Sequence, residues 1–154
     1  MGTDITWILE RRAGRDWQAV TSSERFWQAR LAAGASDRDL DRIPAWRLGE
    51  RNYPLFALLS GVRTDHAVPL DPLMTPGLPD DASPYAIDLI EAHCHSPGSA
   101  DGRTIATWRG AHGSALHRWL DALDAVLDAA ADDAPDASWR NDPAAWRVIV
   151  AYRE

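Results

Sequence analysis

The order of strand and helix patterns constrains the fold of this chain more than any other feature of its sequence. Near the N-terminus, Ile5, Trp7 and Leu9 alternate with polar residues, as in a strand with one buried face. A turn-forming segment at 13–16 and a further apolar pattern complete a predicted β-hairpin. The chain closes with another strand pattern at 146–152. Helical patterns therefore occupy the region between two terminal strand units.

The helical patterns carry start and stop signals. Ser22 or Ser23 can cap a helix that stops at Gly34, and Ser36 opens a short helix through Ile43. Two further helices are bracketed by Pro54 and Gly61, and by Ser83 with Pro84 at the start and His93 near the end. The most regular apolar pattern runs from Ser114 to Ala130, and the segment from Arg103 to Trp108 suits a short strand or the start of a helix. We predict loops at 62–79 and 94–102, and a turn between Gly110 and Gly113.

These patterns predict an α+β fold in one domain covering residues 1–154. The N-terminal hairpin and the C-terminal strand would form a small antiparallel or mixed sheet, which helices would cover on one face. The 45% hydrophobic content is sufficient for a core.

Composition argues against several classes of protein. A net charge of −7 without a basic stripe makes a nucleic-acid partner improbable, because phosphate contacts supply most of that affinity. No apolar run approaches the ~18 residues of a membrane helix. The segment from Met1 to Glu10 lacks the pattern of a signal peptide, so we expect a cytoplasmic protein. The single cysteine, Cys94, excludes an internal disulfide.

The basic residues are all arginine: the chain has 16 Lys plus Arg, and no lysine is among them. Recognition of an anion would therefore use guanidinium groups or backbone N–H groups. The eight tryptophans are interpreted mainly as core or half-buried sheet residues, with an aromatic stacking platform as the alternative.

The best candidate site for an anion comprises Arg51, Asn52, Tyr53 and Arg63. Arginine offers a bidentate fork, asparagine an amide, tyrosine a ring with a hydroxyl, and the helix at Pro54 adds backbone donors. The alternative is that Arg51 and Asn52 cap and brace that helix while Tyr53 packs against it.

Two further groups complete the list of candidate ligand-binding residues: His93 with His95, and Asp80 with Asp81. Two histidines two positions apart share one face of an extended segment, and Asp80, Asp81 or Asp4 could complete a metal site with them. The alternatives are structural. The histidines would pin an irregular loop by hydrogen bonds, and the aspartates would stabilise the N-terminus of the following helix.

Five segments together resemble those of a known family. They are Met1 to Ile5, Arg51-Asn52-Tyr53 with Phe56 to Arg63, Gly77 to Ser83, His93-Cys94-His95-Ser96, and the final strand Arg147 to Tyr152. In their order and spacing they resemble a family of small, uncharacterised proteins of phages and prophages. Members of that family continue the opening motif with a histidine, where this chain has Thr6. The resemblance implies a phage context but no particular reaction.

These observations favour a phage-type accessory protein that binds a small anionic ligand. In the most specific form of this hypothesis, the protein sequesters a nucleotide immune signal of the bacterial host, such as a cyclic nucleotide or an ADP-ribose derivative. The alternatives are a metal-dependent hydrolase that uses His93, His95 and the aspartates, and a protein-binding inhibitor or structural phage component. No Ser-His-Asp, Walker or HExxH pattern is present, so we predict no catalytic residue and no cofactor. A homo-oligomer is expected.

Overall fold

The computed structural model describes residues 3–34, 48–49, 51–62, 71–132, 134 and 136–154. The helix predicted at 36–43 and the candidate ligand residue Arg63 lie outside these ranges. The strands are β1 (Asp4–Ala13), β2 (Asp16–Ser22), β3 (Thr75–Pro76), β4 (His95–Asp101) and β5 (Trp146–Arg153). The helices are α1 (Ser23–Ala32), α2 (Tyr53–Ser60), α3 (Pro84–His93) and α4 (Gly102–Asp132), with a short 3-10 helix at Ser138–Asn141.

The strands form one antiparallel sheet in the order β2-β1-β5-β4-β3. The C-terminal strand pairs directly with the N-terminal hairpin, which confirms the predicted α+β class. In this pairing Asp4 is opposite Arg153 and Glu10 is opposite Arg147. Because β5 lies between β1 and β4, it is central in the sheet.

Alternate residues of the central strands face two separate layers of helices. Trp7 of β1 and Val148 and Val150 of β5 point into the larger core, which also contains residues of α2 and α4. Ile8 and Ile149 point to the opposite face and pack with residues of α3. The expectation of helices on one face only is therefore wrong. Helix α3 buries the second face, which explains why an apolar residue interrupts the alternation of β1 at Ile8.

The signals for helix ends are confirmed for α1, α2 and α3. The side chain of Ser22 accepts a hydrogen bond from the N–H of Arg25 at 3.2 Å. Ser83 accepts one from the N–H of Ala86 at 3.3 Å. Gly61 follows α2 in the left-handed conformation, with a φ of 68°. These contacts satisfy backbone groups that a helix leaves unpaired at its ends.

The segment predicted as a loop at 94–102 instead contains strand β4. Its composition is poor in strand-forming residues, but β5 supplies a neighbouring strand to which its backbone binds, and pairing overrides intrinsic preference. Gly98 is needed there, because a Cβ at this position would lie 2.9 Å from Cβ of Met74.

Helix α4 begins at Gly102, well before the predicted start at Ser114, and it includes Gly110 and Gly113. Ile105 and Trp108 are buried in the core, and this burial offsets the ~1 kcal/mol that each glycine costs inside a helix. A kink at His112, with φ −131° and ψ 16°, remains where the turn was predicted. Neither α4 nor any other helix in the described ranges is both long and apolar enough to cross a bilayer.

Candidate functional site

A cavity of about 560 Å³ lies between the N-terminal hairpin, helix α1 and the C-terminal end of α4. This volume is within the range of sites that hold small organic ligands. The residues of the hairpin and of α1 that line it are Trp7, Arg11, Gln18, Ala19, Val20, Thr21, Arg25, Phe26, Ala29 and Arg30. Val126, Ala129, Ala130 and Ala134 complete the lining from the side of α4.

Three arginines give this cavity its charge. Arg11 comes from β1, whereas Arg25 and Arg30 come from α1. Among the described residues, none of the three is in contact with a carboxylate, but the charge of Arg11 acts on the carboxylate of Asp136. Arg11 donates to the side chain of Gln18 at 3.5 Å, and Arg25 donates to the backbone oxygen of Ala19 at 3.5 Å. The guanidinium carbon of Arg25 also lies 4.0 Å from the centroid of the Tyr85 ring, which is outside the cavity. Each guanidinium group still has N–H donors that a bound anion can use.

The remainder of the cavity wall is largely apolar. Trp7 is only 1% exposed, and its ring centroid lies 6.5 Å from that of the partly buried Phe26. The guanidinium carbon of Arg30 lies 5.5 Å from the centroid of Phe26. Val126 and Ala130 face them from α4. This combination suits an organic anion whose apolar or planar part contacts the rings while its charged part meets the arginines.

These arginines are not among the site residues predicted from the sequence. Phe26 and Arg30 are four positions apart and so share one face of a helix, which is a detectable local signal. Nothing local indicates that this face meets the end of α4, about a hundred residues further along the chain. The cavity is thus a product of tertiary contacts.

The predicted anion-binding residues around α2 make contacts within the protein. Arg51 forms an ion pair with Asp4 at 2.7 Å, and the hydrogen bond from Arg51 to Asp4 raises the pKa of this arginine. Asn52 caps α2 by accepting from the N–H of Leu55 at 3.2 Å. The hydroxyl of Tyr53 accepts from the backbone N–H of Thr3 at 3.2 Å. These contacts match the alternative in which the motif braces a helix.

The two predicted histidines are not on one face of an extended segment. His93 is the last residue of α3, and His95 is the first residue of β4. His95 Nε2 lies 3.8 Å from a carboxylate oxygen of Glu154, and that oxygen accepts from the hydroxyl of Thr3 at 3.2 Å. Through Thr3, the structure brings His95 and Tyr53 to the same end of the sheet.

The double-aspartate segment lies elsewhere. Asp80 is exposed, and Asp81 accepts hydrogen bonds from Arg147 at 2.7 Å and from the indole N–H of Trp17 at 3.1 Å. The hydrogen bond from Arg147 lowers the pKa of Asp81 below its ordinary value. Arg147 also donates to the buried Glu10 at 2.6 Å. Asp81 therefore belongs to a charged network that joins the sheet to the start of α3.

The predicted residues consequently do not form one site. Asp81 lies near Glu10 and Arg147, while Arg51 binds Asp4 at the other end of β1. Glu10 lies six positions after Asp4, which is about 20 Å along a strand. In the part of the chain that the structure describes, no group of three or more His, Cys, Asp or Glu side chains could hold a metal ion. The metal-dependent alternative thus gains no support.

Comparisons with protein-family models, curated proteins and solved structures give no match to this chain. The resemblance to phage proteins therefore stays a prediction, and the functional argument depends on the geometry of the described residues.

Proposed function

We propose that this protein binds a small organic anion in the cavity between the hairpin, α1 and the end of α4. The observation that carries the proposal is the set of three arginines, Arg11, Arg25 and Arg30, which border one largely apolar cavity and of which none is in contact with a carboxylate among the described residues. In a chain with a net charge of −7, a local excess of positive charge is unusual and attracts anions.

The same cavity favours a nucleotide over an inorganic ion. A volume of about 560 Å³ exceeds what a lone phosphate needs, and the partly exposed ring of Phe26 offers apolar contact to a base. The arginines would bind the phosphate groups by charge-assisted hydrogen bonds. The resemblance to phage proteins motivates the biological form of this proposal, in which the protein sequesters a nucleotide signal of a bacterial host without converting it.

Titration calorimetry with AMP, a cyclic dinucleotide and ADP-ribose tests the proposal. We expect one of these ligands to bind, and we expect Arg30→Gln to weaken its binding about tenfold, which corresponds to ~1.4 kcal/mol for one lost charged hydrogen bond. A double variant, Arg25→Gln with Arg30→Gln, should weaken binding further. Added salt should also weaken binding, because it screens exposed charges.

Two control variants locate the site. Arg103→Gln removes an arginine whose side chain is 70% exposed and does not line the cavity, and it should leave affinity unchanged. Arg51→Gln tests the sequence-predicted site, and affinity that depends on Arg51 rather than Arg30 would place the ligand there. A folded protein that binds none of the three ligands would contradict the proposal.

A further inference from the structure

Ser96 has an unusual backbone conformation. Among the described residues it is the only non-glycine residue with positive φ, at 52°. It lies where the register between β4 and β5 shifts, between His95 and Gly98, and it is exposed. A side-chain-bearing residue in this region is disfavoured by about 1–2 kcal/mol, and such strain is often found at functional sites.

The Ser96 hydroxyl is directed at an imidazole. Its Oγ lies 3.0 Å from Nδ1 of His95. The other ring nitrogen, Nε2, lies 3.8 Å from a carboxylate oxygen of Glu154. In the tautomer that carries its proton on Nε2, on the side of the carboxylate, Nδ1 can accept the serine proton. Hydroxyl, imidazole and carboxylate follow one another here as in a serine hydrolase. In such enzymes Nε2 faces the serine and Nδ1 faces the carboxylate, whereas here Nδ1 faces the serine and Nε2 the carboxylate.

A cavity of about 260 Å³ adjoins this serine. The residues that line it are Ser60, Pro72, Met74, Pro76, Gly77, Ser96, Pro97 and Gly98. Most of this lining is apolar, so the cavity suits a short acyl chain. It adjoins β3 and β4, whereas the anion cavity adjoins β2 at the opposite edge of the sheet.

Ser60 can supply a hydrogen bond to a substrate in this cavity. Its Oγ accepts from the hydroxyl of Tyr152 at 2.7 Å. Burial raises the pKa of Tyr152 to about 12, so that hydroxyl stays protonated and remains the donor. The proton of Ser60 itself can then be donated into the cavity, where it would stabilise negative charge on a carbonyl oxygen.

We propose that Ser96 and His95 form an acyl-transfer site that hydrolyses small esters. Ser96 Oγ attacks the ester carbonyl carbon while its proton passes to Nδ1 of His95. The bond to the alcohol oxygen breaks, the leaving alcohol takes that proton, and an acyl-serine forms. Water then attacks the acyl-serine and gives a proton to His95, which returns it to Ser96 as the carboxylic acid leaves. Glu154 is a positioning residue that orients the imidazole.

Labelling with a fluorophosphonate probe and hydrolysis of p-nitrophenyl butyrate test this site. We expect the probe to modify Ser96, as mapped by mass spectrometry, and we expect both signals to be lost in Ser96→Ala and in Ser96→Gly. The glycine variant removes the hydroxyl while suiting the positive φ, so it separates chemistry from folding. Ser138→Ala, which removes an exposed serine on the 3-10 helix, should change neither signal.

The roles of the imidazole and the carboxylate have separate readouts. His95→Ala should lower the hydrolysis rate about a hundredfold or more, and added imidazole should restore part of it. Glu154→Gln should lower kcat about tenfold with KM unchanged, because a positioning residue acts in the transition state. Probe modification at another residue, or a Ser96→Gly variant that hydrolyses the ester at the original rate, would overturn the proposal.

Discussion

Among single residues, Arg147 makes the most extensive set of charged contacts in the described part of the chain. Its guanidinium donates to Glu10 at 2.6 Å and to Asp81 at 2.7 Å, and it lies 4.1 Å from the ring centroid of Trp17. Glu10 is fully buried, and its second oxygen accepts from the backbone N–H of Ser83 at 2.8 Å. Glu10 and Arg147 are both buried, and both carboxylate oxygens of Glu10 accept a hydrogen bond. Each charge therefore compensates the cost of removing the other from water.

Replacing Arg147 with methionine should therefore destabilise the protein strongly. Glu10 would stay buried without its positive partner, a situation that costs about 3–5 kcal/mol. The free energy of unfolding from urea denaturation measures this loss. The double variant Glu10→Gln with Arg147→Met removes both charges and keeps an acceptor for Ser83, so it should be more stable than Arg147→Met alone. Equal stability of the two variants would show that the buried charge is not the cause.

At the scale of secondary-structure elements, the direct passage from β4 into α4 explains why the helix starts early. Strand β4 ends at Asp101 and α4 begins at the next residue, Gly102. The side chain of Asp101 accepts from the N–H of Thr104 at 2.9 Å, as a helix cap does. Position 102 requires glycine, because a Cβ there would lie 2.7 Å from the backbone oxygen of Pro143.

Substituting Gly102 with alanine should destabilise the protein by about 1–3 kcal/mol, since the added methyl meets backbone and the Trp146 ring with no space to move. Thermal or urea unfolding measures the change. Gly110→Ala is the matched control within the same helix, because a methyl group added there would have no neighbouring atom within 4 Å. There alanine should stabilise the helix by up to about 1 kcal/mol. A stabilising Gly102→Ala would contradict the close packing at this junction.

At the scale of the whole molecule, β5 joins the two halves of the chain. It pairs with β1 on one side and with β4 on the other, and its residues Trp146 to Tyr152 are all buried. Its apolar side chains contribute to both cores, which lie on opposite faces of the sheet. The last strand of the sequence is thus the centre of the fold, and the N-terminal hairpin has no other described strand to join it to β4.

Deletion of residues 146–154 should accordingly abolish folding, because it removes a central strand of the sheet and not an edge strand. We expect the truncated chain to lose its cooperative unfolding transition and the dispersion of its amide NMR signals, because both cores lose their shared strand. A chain that lacks only Glu154 should stay folded, since this exposed residue lies outside β5. A cooperative transition in the longer deletion would show that the remaining elements form a core without β5.

The elements that could be predicted from the sequence are those whose signals are local. Apolar patterns predicted the terminal strands, although both faces of β5 are buried, and the caps at Ser22 and Ser83 and the left-handed Gly61 predicted helix ends. Each of these signals depends on contacts within a few residues. The sequence also indicated that the final strand would join the hairpin. These features could be predicted because periodicity and backbone hydrogen bonding act over one or two turns of chain.

Tertiary structure alone decided strand β4, the early start of α4 and the composition of the candidate sites. Asp81 meets Arg147 across 66 positions, and the cavity arginines of the hairpin and α1 meet the distant end of α4. His95 likewise reaches Glu154 only because β4 pairs with β5. Such contacts depend on which surfaces bury one another, and no short segment of sequence contains that information.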